Sequence, residues 1–345
     1  MNKDLSVKIS IAGFICTLMV VYRHSLNYLA FFHSWSPQGL NGIVEDSCMR
    51  LTQIAVPYFF MVSGFFFLGK NYYEPQSYRQ MIIKKIHTLF IPFVIWNVTG
   101  ALCLLPFDKK AVGTDIFSVI QNLFNSHWYG PLWYVRDLMV VMMLYPIYGW
   151  LFRIKSSLPI WITVTVLFYL WKPIDCSVLS SECLVFFVLG GLIGKHPEML
   201  SVRMRLAPTL AISAIWFAAC FTGFMTFNEW IHKLTDMTGI VAFWQLLNHI
   251  PETWRQKMLH LSTFSFLIYV MHFYPMKLFK QGIAHIFYGN DIIATITYIL
   301  LPIMISYLII LIGQGWIKLS PKTYSLAIGN RIRKKRYILL AMRAI

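Results

Sequence analysis

A chain of 345 residues that is 57% hydrophobic and only 13% charged cannot have water as its only solvent. Soluble globular domains carry roughly 25% charged residues. The formal charge of +16 invites a nucleic-acid reading, but basic loops that orient a membrane protein account for it without a nucleic-acid partner.

The composition therefore indicates an all-α polytopic membrane protein with membrane lipids around it. Its 12 Trp and 18 Tyr are of the kind that sit at lipid headgroup depth. A bilayer core of ~30 Å takes about 20 apolar residues per helix. Ten stretches are candidate spans: 9–32, 54–69, 86–105, 134–153, 158–172, 182–195, 206–226, 237–250, 261–281 and 292–317. The expected architecture is a bundle of about ten transmembrane helices in a single domain over 1–330, followed by a basic tail over 331–345. The first stretch is too long and lacks the small-residue cleavage site of a signal peptide.

The first stretch, 9–32, contains Arg23 and His24 and no other Asp, Glu, Lys, Arg or His. Burying such a pair in lipid costs at least ~2.5 kcal/mol per group, so each must face a bundle interior or a wet cavity. At ~1.5 Å per residue His24 lies about 22 Å along its helix, past the midplane. Neighbours on a helix point ~100° apart, so one of the two can serve a pocket while the other pairs elsewhere or snorkels. His24 has two readings: a general base, since a neutral imidazole can take a proton from a hydroxyl, or a structural hydrogen bond to another helix.

The fourth stretch opens on "GPLWYVRDLMVV" (130–141), with Arg136 and Asp137 side by side. A local salt bridge is one reading, but i and i+1 do not face each other on a helix, so a separate partner for each is expected. Glu182 follows Ser180 and Ser181 and reads as part of a helix start. His272 sits in the middle of the ninth stretch and is either structural or site-lining. The six cysteines show no metal-ligand spacing. Cys176 and Cys183 share one outward loop, which leaves a pairing open.

Counting Lys and Arg fixes the expected orientation. With the N-terminus inside, the inner segments hold 21 and the outer segments, where Lys233, Lys277 and Lys280 fall, hold 7. This asymmetry places both termini in the cytoplasm. The tail "RIRKKR" (331–336) is then an orientation signal or a patch against anionic lipid.

Six segments in order carry a family resemblance: "VVYRHS" (20–25), "IAVPYFFMVSGFFF" (54–67), "YRQMIIKKIHTLFIPFVIWN" (78–97), "GPLWYVRDLMVV", "FFVLGGLIGK" (186–195) and "TFSFLIYVMHFYP" (263–275). In this order the chain resembles the membrane-bound acyltransferase-3 family, which includes bacterial O-acetyltransferases of surface polysaccharides. The resemblance implies O-acyl transfer in a bacterial inner membrane. Cytosolic acyl-CoA, in the simplest case acetyl-CoA, would be the co-substrate, no cofactor would be bound, and a glycan or lipid-linked glycan would accept. It implies His24 as the catalytic base. Arg23, Arg136, His272, Ser63, Lys84 and Lys85 would be candidates for holding substrate or donor. The small pair Ser63–Gly64 would let helices approach closely. The family's first helix usually carries an arginine eleven residues before the histidine and an aspartate three residues earlier; here these positions are Gly13 and Ser10. Lys8 or the Lys84/Lys85 pair lies on the same side as a substitute charge. The competing readings are an exporter of a glycan or small molecule, and a catalytically silent member of the family.

Overall fold

The computed structural model describes residues 3–31, 39–70, 72, 74–150, 157–171, 175–176, 179–221 and 229–331. The fold is helical throughout these residues, apart from one two-stranded antiparallel pair, Asp175–Cys176 against Leu179–Ser180. A helix overlaps each of the ten apolar stretches. Among the described residues, four helices are long and apolar enough to cross a membrane: Lys3–Arg23, Leu40–Leu68, Pro75–Leu104 and Asp291–Leu319. Contacts divide the chain into two compact units, one of residues 1–59 and 198–310, the other of 60–197 and 311–345. The greater part of the basic tail, 332–345, lies outside the described residues.

In the first unit the opening helix stops at Arg23 and does not continue to residue 32. The cause is distant in sequence. In a continuing helix the Asn27 N–H would donate to the Arg23 carbonyl; instead it donates to Glu45 Oε1 at 2.9 Å. A carboxylate is a stronger acceptor than a peptide carbonyl, so the chain turns at 24–27. A single helical turn, Tyr28–Phe31, follows. The second apolar stretch also begins earlier than its hydropathy suggests, because the helix starts at Leu40. Its first turns are inverted: Asn41 and Glu45 are buried while Leu40 and Ile43 are exposed. Polar inside and apolar outside suits a helix whose outer face meets lipid. The Asp291–Leu319 helix repeats this pattern, with Thr295 and Ser306 buried and Ile292, Ile296, Ile303 and Tyr307 exposed.

In the second unit the Pro75–Leu104 helix widens to a π-helix over Ile86–Phe90. Pro92 has no N–H to give to the Thr88 carbonyl four residues back, and the wider turn absorbs the gap. The 55–68 and Ser181–Lys195 helices cross through reciprocal glycines. A Cβ on Gly64 would collide with the Phe187 carbonyl, and one on Gly190 with the Met61 carbonyl. Close approach through small residues is how helices pack where lipid removes the hydrophobic drive between them. Ser180, not Glu182, caps the second of these helices by accepting from the Cys183 N–H at 3.1 Å. Cys183 is a buried free thiol, so the open pairing with Cys176 is not made.

Candidate functional site

The end of the first helix delivers His24 to the first unit's interior. The His24 ring lies 5.4 Å, centroid to centroid, from His272. It also meets the Phe273 edge at 5.9 Å, with the two rings nearly perpendicular. His272 is fully buried at the junction of the Ser265–Met271 and Phe273–Phe287 helices. Its Nδ1 lies 2.8 Å from the Tyr269 carbonyl oxygen and 3.2 Å from that of Ile268. Carbonyl oxygens only accept, so Nδ1 carries the proton. Nε2 then holds a lone pair, and it is buried with no hydrogen-bond partner among the described residues. The first unit thus contains one histidine with a fixed tautomer and an uncommitted acceptor nitrogen, against the ring of a second histidine.

Arg23 does not share this setting. Its guanidinium reaches the Met49 carbonyl at 3.2 Å, so of the adjacent pair it is the one that pairs elsewhere. Tyr22 anchors the same turn by donating to the Ile299 carbonyl at 2.7 Å.

One turn beyond His24 lies a buried polar cluster built around Glu45, Asn27 and Asn41. Glu45 takes the Asn27 N–H on one oxygen and the Asn41 amide at 2.9 Å on the other. The Asn27 amide donates to Asn41 Oδ1 at 2.9 Å and to the Ala294 carbonyl at 2.7 Å. Lys280 interacts electrostatically with Glu45, and its Nζ lies 5.7 Å from the centre of the Tyr298 ring. Orientation counting treats Lys280 and Lys233 as open loop cations, but both are buried, at 3% and 8% exposure. Hydropathy alone does not find this cluster, because residues 40–53 read as a loop. The signal available was the i,i+4 pair Asn41 and Glu45, which one helix face brings together.

The other four sequence candidates belong to the second unit. Arg136 and Asp137 do pair with each other, against expectation, through Nε at 3.0 Å and Nη2 at 2.8 Å to one carboxylate oxygen. The long arginine arm folds back across the ~100° offset that separates the two Cβ directions. The other Asp137 oxygen accepts from the Ser180 N–H at 3.3 Å. Ser63 Oγ lies 3.3 Å from the Tyr134 hydroxyl. Lys84 is exposed, while Lys85 is partly buried with its Nζ 5.7 Å from the centre of the Phe67 ring. Among the described residues no group of His, Cys, Asp and Glu has the arrangement to hold a metal ion.

The chain is 21% identical over 307 residues to the succinoglycan biosynthesis protein ExoH of Rhizobium meliloti (strain 1021), covering 81% of this chain and 80% of that protein. No solved structure matches the chain. Residues 11–311 match the family model described as an acyltransferase domain. That match spans both histidines and most of the helices, and the chain belongs to the acyltransferase-3 family.

Proposed function

We propose that the protein is an integral-membrane O-acyltransferase of the bacterial inner membrane. It would move an acyl group, most simply acetyl, from cytosolic acyl-CoA to a hydroxyl of a cell-envelope glycan or its lipid-linked precursor. The observation that carries the reading is the contact of His24 with His272, whose Nε2 is buried and unsatisfied. An orphaned buried acceptor costs about 1–3 kcal/mol, and a site that completes it with a substrate group recovers that cost.

In the proposed reaction His24 takes the proton of the acceptor hydroxyl as the oxygen attacks the thioester carbonyl. The carbon–sulfur bond breaks, the thiolate leaves, and the proton returns to sulfur, leaving an ester and free CoA. The C-terminal end of the first helix supports the transient positive charge on the ring. His272, held by the Tyr269 carbonyl, receives a hydrogen bond from the acceptor or from the His24 ring and fixes its orientation. Arg136 and Asp137 satisfy each other and are assigned to holding their own helix. A glycan acceptor is supported by the likeness to a succinoglycan biosynthesis protein.

Deleting the gene and restoring it on a plasmid tests the reading. Base-labile acyl groups on the surface polysaccharide should disappear on deletion and return with the wild-type gene. Unchanged acylation with altered export of the glycan would favour the exporter reading instead.

A further inference from the structure

The first unit holds a second polar concavity at the opposite end of the first helix from His24. It has a volume of about 90 Å³ and is lined by Asp4, Lys8, Ser201, Arg203, Asn248 and Arg255 among others. Its walls are built by cross-links. Lys8 Nζ donates to Asn248 Oδ1 at 2.7 Å and packs on the Trp244 ring at 3.9 Å. Asn248 donates in turn to Gln245 Oε1 at 2.8 Å. Gln245 clamps the segment that carries Arg203, accepting from the Met204 N–H at 3.0 Å and donating to the Val202 carbonyl at 3.1 Å. The Trp244 indole donates to the Leu200 carbonyl at 3.2 Å.

The charges in this concavity do not balance. Lys8, Arg203 and Arg255 converge on it, and Lys8 is repelled by both guanidinium groups. Asp4 is the one acid among the lining residues. Arg255 has an ion pair with Glu252 at 3.4 Å on the solvent side, whereas Arg203 makes none among the described residues. Lys8 and the two guanidinium groups repel one another here, and a bound anion would offset that repulsion. Two forked guanidinium groups and an ammonium match a multivalent tetrahedral anion better than a single carboxylate. The volume is several times the ~10–15 Å³ that a single water needs, which leaves room for a phosphoryl group.

We propose that the Lys8–Arg203–Arg255 pocket binds the phosphoryl group of a phosphate-bearing ligand, either a soluble co-substrate or an anionic lipid headgroup. Lys8 lies near the start of the first helix and His24 directly follows its last residue, Arg23; the sixteen-residue separation spans about 24 Å. If the acyl-transfer reading holds, the donor that fills both places carries its phosphate on a long arm, some 20 Å from the acyl carbon. An acyl phosphate, whose two groups are adjacent, cannot bridge them. Only this last step rests on the acyl-transfer reading; phosphate binding does not.

The test is binding without turnover, so that its failure is separate from failure of the catalytic assignment. Full-length protein in phosphatidylcholine nanodiscs is titrated with sodium pyrophosphate at fixed ionic strength. Arg203→Gln and Arg255→Gln should each weaken the dissociation constant at least tenfold. Lys257→Gln, on the same helix as Arg255 but outside the pocket, should leave it unchanged and controls for general charge loss. If pyrophosphate fails to bind but the two arginine variants retain less phosphatidylglycerol than wild type from mixed nanodiscs, the phosphate is a lipid headgroup. Pyrophosphate binding equal in wild type and variants, or no effect of the variants on either ligand, overturns the proposal.

Discussion

At the residue scale the account rests on two histidines with unequal surroundings. His272 gives its Nδ1 proton to a backbone carbonyl and keeps Nε2 bare, and His24 lies in ring contact with it. His272→Asn preserves a donor near the Tyr269 carbonyl and removes the Nε2 lone pair. The variant should reach the membrane at wild-type level and lose ~10²–10⁴-fold in acylation rate; wild-type turnover would make His272 a packing residue. Glu45→Gln probes the neighbouring cluster. Both carboxylate oxygens accept hydrogen bonds, and an amide there sets donor against donor. The unfolding midpoint measured in detergent should fall, by about 1–3 kcal/mol of stability, and an unchanged midpoint would show that the turn at 24–27 does not depend on that carboxylate. The histidines were legible because an ionisable side chain inside an apolar run stands out. Glu45 and Lys280 were not, because polar residues near the ends of apolar runs look like loop residues until tertiary contacts bury them.

At the element scale, helix identity follows from apolar content, but helix ends follow from partners. The first helix contains no glycine or proline near its end; a carboxylate eighteen residues past Asn27 stops it. Nothing local to "VVYRHSLN" encodes that stop. The Leu40 start was hidden because an inside-out helix turns its polar face to the protein. By contrast, Ser63–Gly64 marked a close helix approach in the sequence, and its partner across the crossing is Gly190 of "FFVLGGLIGK". Gly64→Ala and Gly190→Ala each drive a methyl group into a backbone carbonyl, which cannot rotate away. Overpacking of this kind costs about 1–3 kcal/mol or more, so both variants should show lower folded yield by detergent size-exclusion chromatography. Gly282→Ala, at a helical position with open space around it, should hold or raise stability, since alanine is the better helix former by about 1 kcal/mol. The reverse order of these three variants would refute the crossing.

At the scale of the whole molecule, two asymmetries define what the protein can do. With the ten expected spans, Lys and Arg divide 21 to 7 between alternating segments, which predicts cytoplasmic termini. A reporter active only in the cytoplasm, fused after Ile345, should be active, and one active only outside should be silent; the opposite result would invert the orientation. Along the first helix, a cationic pocket near Lys8 and a histidine pair at His24 occupy opposite ends, with mostly apolar side chains between them. A charged donor entering from one side and a hydroxyl acceptor from the other would suit such a helix. The most direct measurement is transfer of radiolabelled acetyl from acetyl-CoA to endogenous glycan in isolated membranes, with wild-type and His24→Ala protein at matched levels. The account predicts base-labile label on the glycan with wild type and a loss of ~10²-fold or more with the variant. Equal labelling by the two proteins would contradict His24 as the base of the reaction.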